Sequence, residues 1–207
     1  MTSAMTVRFH RGDLPPEAAY RGPVAIDTET LGLNLYRDRL CLVQLSGGDG
    51  TADIVQIASG QRQAPNLVRL LADRGLTKIF HYARFDVAIL AQTFGVIAGP
   101  LFCTKIASRL TRTYTDRHGL KDIVKDLLDI ELSKQQQSSD WAAETLSEAQ
   151  LQYAASDVLH LHALKAEFER RLGREGRTDL AAACFAFVPV RARLDILGWP
   201  EEDIFAH

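Results

Sequence analysis

Only three cysteines occur among the 207 residues, Cys41, Cys103 and Cys184, and no two form a C-x-x-C pair. An odd, widely spaced set gives neither a disulfide framework nor a thiolate metal site, so buried thiols are expected in these apolar segments. No apolar run approaches the ~20 residues that cross a bilayer. The N-terminal MTSAMTVRFHRGDLPP lacks the apolar centre of a signal peptide. A cytoplasmic protein without a membrane partner is the expectation. Positive charge is not in excess either: 24 Lys+Arg stand against 26 Asp+Glu, a net charge of −2. Nucleic-acid affinity by bulk electrostatics is thereby excluded, and any phosphate contact must come from local clusters or bound cations. Linker-like Gly/Ser-rich or Pro-rich stretches and internal repeats are missing, which excludes a solenoid and favours one domain. Neither a G-x-S-x-G elbow nor a P-loop is present.

The order of elements is more informative. Val24–Thr28 and Leu40–Ser46 read as strands, and Gly47-Gly48-Asp49-Gly50 is a strong turn signal before a third strand, Thr51–Ile57. Pro65 opens a helix with Leu67, Leu70 and Leu71 at helical spacing. Lys78–His81 reads as a short buried strand, Phe85–Phe94 as a helix, and Pro100–Thr104 as another short strand. From Lys105 onward the pattern is almost wholly helical, including Leu120–Leu128. A long helix is expected after Ser147, whose hydroxyl with Gln150 approaches a capping box. A meander followed by alternating strands and helices argues for an α/β fold, a mixed sheet flanked by helices.

Four acids stand out on this frame. Asp27 and Glu29 lie two apart at a strand end, so both point to one face and repel each other there. A cation relieves that repulsion; spacing alone also fits two solvated acids. Asp86 lies in the first turn of a helix, where the helix dipole favours an acid in any case. Asp157 shares a helix face with Tyr153, one turn earlier, amid Leu151, Ala154, Ala155, Val158 and Leu159. A carboxylate on so apolar a face needs a cation or a strong donor. Oxygen-only clusters select hard cations such as Mg²⁺ or Mn²⁺.

The blocks Asp27-x-Glu29, His81…Asp86 and Tyr153-x-x-x-Asp157, in this order, resemble the DEDDy 3′–5′ exonucleases. The resemblance to the RNase D group is stronger still. It extends to Gly119-Leu120-Lys121-Asp122 and to Leu132-Ser133-Lys134-Gln135-Gln136-Gln137-Ser138-Ser139-Asp140-Trp141, and runs from about Val24 to Leu172. It implies an RNase H-like fold, with a motif-bearing core at 24–172 and a helical extension at 173–207, as in short members without HRDC domains. It also implies a two-metal-ion exoribonuclease that trims RNA 3′ ends and releases nucleoside 5′-monophosphates. In that scheme Asp27 bridges both ions and Glu29 and Asp157 complete one site. Asp86 holds the second ion through water, and Tyr153 positions the attacking water. One departure is visible: many members carry Asn where this chain has Tyr82. DNA as substrate, or an inactive nucleic-acid-binding module, stay open, although all four acids and Tyr153 are present.

Substrate contacts are expected from Thr28 and Leu31 beside the first block, from His81, and from Lys134 and Gln137 in the polar loop before Trp141. For His81 a satisfied strand-end histidine is the plainer reading, and for Trp141 an anchor of the loop. Arg112, Arg117, His118, Lys121 and Lys125, with Tyr114 among them, form either a phosphate-binding patch or a solvated face. His160 and His162 face different directions and offer no joint metal site. No protein partner is indicated; the apolar segment Cys184–Val190 is expected to pack on the domain.

Overall fold

In a computed structural model of the chain, which describes residues 5–133 and 135–206, the Gly47–Gly50 turn closes as its glycines allow. Gly48 and Gly50 adopt φ of 86° and 84°, which only glycine enters without strain. The elements among the described residues are β1 (Thr6–Arg11), β2 (Val24–Thr30), β3 (Leu40–Ser46), β4 (Thr51–Gln56), α1 (Pro65–Ala72), β5 (Lys78–Phe80), α2 (Ala83–Phe94), β6 (Leu101–Cys103), α3 (Thr104–Thr111), α4 (Leu120–Leu128), α5 (Glu148–Leu159), α6 (Leu161–Arg174) and α7 (Thr178–Leu197). The strands form one sheet in the order β1-β4-β3-β2-β5-β6. The β2-β3-β4 meander is antiparallel, whereas β1 joins β4, β5 joins β2 and β6 joins β5 in parallel.

Side chains alternate across β2 and feed two cores. Val24 and Ile26 pack with α1, α2 and α7, while Ala25 faces the layer built from α3 to α6. Each buried aliphatic side chain in these layers contributes roughly 1.5–3 kcal/mol. Helix α7 packs on α2 through Val188 and Ala192, as expected of the apolar tail, yet leaves Leu180, Phe187, Val190 and Leu197 exposed.

Three features differ from the sequence reading. Strand β1 has no counterpart there, because its TVRFHR pattern is mostly exposed and polar. A polar pin holds it instead: Arg8 and His10 reach Oδ1 of buried Asp53 on β4 at 2.8 and 2.7 Å, and the Tyr20 hydroxyl donates to Oδ2 at 2.6 Å. The long helix expected after Ser147 is two helices, since the chain breaks at His160 (φ −98°, ψ −7°). The capping box forms as read, with Ser147 Oγ accepting from Gln150 N–H and Gln150 Oε1 accepting from Ser147 N–H. Cys41 and Cys103 are buried thiols, but Cys184 is only half-buried. No helix among the described residues is long and apolar enough to cross a membrane.

Candidate active site

Asp27 and Glu29 leave β2 on the face that α5 covers, and α5 carries Tyr153 and Asp157 one turn apart. Carboxylate oxygens of Asp27, Glu29 and Asp157 lie within 4.8 Å of one another. Asp86 falls outside that group. It is buried in the first turn of α2, on the other side of the strand, where the Thr28 hydroxyl donates to its Oδ1 at 2.6 Å. Thr28, lying between the two acids in sequence, points to the opposite face and so ties α2 to the end of β2.

The electrostatics follow from this crowding. Burial lifts the Asp27 carboxyl to about 7, against a hydrogen bond from the Thr28 backbone. Burial first, and then the charges of Asp27, Asp157 and Asp86, lift Glu29 to about 10. Asp86 and Asp157 are also pushed well above the usual carboxylate range, by burial and then by Asp27. Four acids that resist ionising together are a site short of positive charge. The donor set is all oxygen and closely spaced, which fits a hard divalent cation. Burial, and then Asp157, Glu29 and Asp27, raise the Tyr153 phenol, which therefore stays an O–H donor. Its ring lies 6.0 Å from that of Trp141, which is buried and anchors the loop before α5. A groove of about 320 Å³ runs along Tyr153, Ser156 and His160 opposite Leu132, Gln135 and Gln136.

The expected substrate contacts fare unevenly. Leu31 is 53% exposed just past β2, free to meet a ligand. Thr28 is buried and occupied by Asp86. His81 matches the plainer reading, with Nδ1 2.9 Å from Thr104 Oγ1; burial and then Lys105 lower its pKa to about 3, so it is neutral. Gln137 is exposed in a turn, and the groove is lined by Gln135 and Gln136 instead. Lys134 lies outside the described residues. In the basic segment Arg112 is no phosphate ligand: it is 1% exposed, bonded to Asp126 and, at 2.7 Å, to the Arg117 carbonyl. Arg117 pairs with Asp122 and Lys125 with Asp129. His162 donates to the Pro23 carbonyl at 2.9 Å, away from any metal role.

One residue the sequence reading missed sits directly across from Asp27. Gln44 on β3 is its register partner, is fully buried, and finds no hydrogen-bond partner for either amide atom among the described residues. A lone amide in the apolar run LCLVQLS was the available signal, since a buried amide is costly unless bonded.

The sequence matches the profile of a family described as 3′–5′ exonuclease over residues 13–173. Ribonuclease D of Gluconacetobacter diazotrophicus is 40% identical over 163 residues, covering 79% of this chain and 41% of that protein. The chain thus spans about two-fifths of the length of the curated relatives it matches. Among solved structures, Brucella melitensis NrnC with bound Mg²⁺ is 66% identical, with a TM-score of 0.95 over 98% of this chain and 100% of that one. The same protein is also known bound to pGG, again at 66% identity and a TM-score of 0.95, over 99% and 100% of the two chains. Escherichia coli RNase D, an exoribonuclease involved in structured RNA processing, is 26% identical with a TM-score of 0.74, over 83% of this chain and 45% of that one. The six-stranded mixed sheet flanked by helices is accordingly the RNase H-like fold. With the profile covering most of its length and all of NrnC aligned at two residues in three, this chain belongs to the 3′–5′ exonuclease family.

Proposed function

We propose that the chain is a two-metal-ion 3′–5′ exoribonuclease that shortens RNA from a free 3′ end and releases nucleoside 5′-monophosphates. The observation that carries this reading is the convergence of Asp27, Glu29 and Asp157, with Tyr153 one turn before Asp157. Asp27, Glu29 and Asp157 would hold one Mg²⁺ or Mn²⁺, and Asp27 a second with Asp86 through water. Such ions supply activation of water and charge stabilisation on the leaving oxygen. The chain's own groups supply position. Tyr153, kept protonated, orients the attacking water by hydrogen bonding. The Thr28 hydroxyl fixes the Asp86 carboxylate, and exposed Leu31 meets the terminal nucleotide.

The pGG-bound relative supports substrates as short as a dinucleotide carrying one 5′ phosphate. The test is a time course on 5′-labelled RNA with a 3′ overhang, the matching DNA, and pGG, in Mg²⁺, Mn²⁺ or EDTA. A metal-dependent ladder receding from the RNA 3′ end is expected, with pGG cut to mononucleotides. Faster loss of DNA would reassign the substrate, and binding without cleavage in any metal would make the chain a nucleic-acid-binding module.

Tyr153→Phe keeps the ring on Trp141 and loses only the hydroxyl. Turnover is expected to fall about 100-fold, within the range of a positioned proton-handling group, while KM changes little. Steady-state kinetics on pGG read this directly; an unchanged kcat removes Tyr153 from the reaction.

A further inference from the structure

Tyr82 is the residue whose backbone and side chain are hardest to explain by folding alone. It precedes α2 as the N-cap, yet its side chain caps nothing, and its backbone is left-handed at φ 72° and ψ 41°. Glycine or asparagine enters that region readily, whereas a bulky residue there is strained. The strain secures no burial, since the residue is 45% exposed. Backbone strain held at a bulky, exposed side chain points to function.

The surroundings say which function. One face of the ring carries the Lys105 ammonium, 4.2 Å from the ring centroid. Tyr82 also borders a cleft of about 370 Å³ whose walls include Leu33, Leu35, Tyr36, Arg84 and Phe85. That size suits a small ligand; exposed Leu33 and Tyr36 give it apolar walls near Tyr82, while Asn34, Asp195 and Glu201 make the rest of it polar. Asp86 lies one helical turn beyond Tyr82, so cleft and acids flank the same start of α2.

We propose that Tyr82 is a specificity-determining residue, its ring braced by Lys105 and serving as a stacking wall for one nucleobase of a short substrate. Aromatic stacking tolerates every base, because each presents a π face, so the wall selects for the presence of a base and not its identity. The proposal rests on the exonuclease reading above and deepens it.

Tyr82→Asn separates this role from a structural one, because asparagine suits the left-handed backbone while removing the ring. The expected result is an unchanged or higher Tm, a KM for pGG raised about tenfold, and kcat within about twofold. Tyr82→Phe should match the parent. Replacing one guanine of pGG by an abasic residue should cost the parent about tenfold and Tyr82→Asn nothing further. The proposal is overturned if Tyr82→Asn keeps the parent KM, if Tyr82→Phe is equally impaired, or if the variant changes only the mass of the particle by light scattering, which would make the ring a protein contact. Calorimetric Kd values for pGG in Ca²⁺ keep the two readings apart. A parent that binds pGG and never cuts it loses the exonuclease reading while the Kd ratio still decides Tyr82; a parent that does not bind loses both.

Discussion

Asp27→Asn is expected to abolish cleavage while making the metal-free protein more stable. Asparagine keeps the shape of the side chain but removes the charge that all three other acids feel. In the two-ion scheme proposed above Asp27 would be the ligand common to both cations, and its loss should remove several kcal/mol of transition-state stabilisation, on the order of 1,000-fold or more in rate. Stability moves the other way, because one of four mutually repelling buried carboxylates has gone. Single-turnover cleavage of RNA in Mn²⁺ and Tm in EDTA read the two effects separately. Full activity in the variant would remove Asp27 from the metal site, and a large fall in Tm would mean that its carboxylate is structural.

The second large effect is on stability against pH. Unfolded carboxylates titrate near 4, but in the folded chain Asp27 rises to about 7 and Glu29 to about 10, in both cases chiefly by burial. Between those limits the folded protein holds protons that the unfolded chain has released. Metal-free stability is therefore full below about pH 4 and is lost as pH climbs through 7 and on towards 10. The acids titrate together, so the change belongs to the cluster and not to one residue; it is expected to reach several kcal/mol, on the order of 10 °C in Tm for a chain of this size. Carboxylates held low act outside this window. Burial works against Asp53, yet hydrogen bonds from Arg8, Tyr20 and His10 keep its pKa below the usual range, so its contribution is lost only on acidification. In EDTA, Tm should fall steadily from pH 5 to 9. Excess Mg²⁺ favours the ionised acids and should flatten the slope, with the greatest rescue at high pH. A flat profile in EDTA would mean that the four acids ionise freely.

Much of the site is legible in the sequence because its geometry is local. Asp27 and Glu29 need only the two-residue period of a strand, and Tyr153 and Asp157 only one turn of helix. Ser147 and Gln150 announce the start of α5 by a side-chain pattern that the fold reproduces. What depends on tertiary structure is not legible. Asp86 approaches from the opposite layer and meets Thr28, a partner 58 positions away that no spacing reveals. Arg112 reads as a surface cation until α4 supplies Asp126 and buries it. The break at His160 is hidden because Leu159, Leu161 and Leu164 continue an apolar rhythm across it. Strand β1 is hidden for the converse reason, being an edge strand pinned by polar side chains with little apolar alternation to betray it.

The alternation along β2 has a consequence for how such a chain can diverge. Asp27 and Glu29 serve the layer containing α5, while Thr28 serves the layer containing α2. An insertion or deletion of a single residue between Val24 and Asp27 would turn both acids towards α2 and Thr28 towards α5. No compensating point substitution elsewhere restores the arrangement. The spacing from the start of β2 to Glu29 is thus a constraint on chain length as much as on residue identity, and one residue inserted after Val24 should cost the site both of its β2 acids at once.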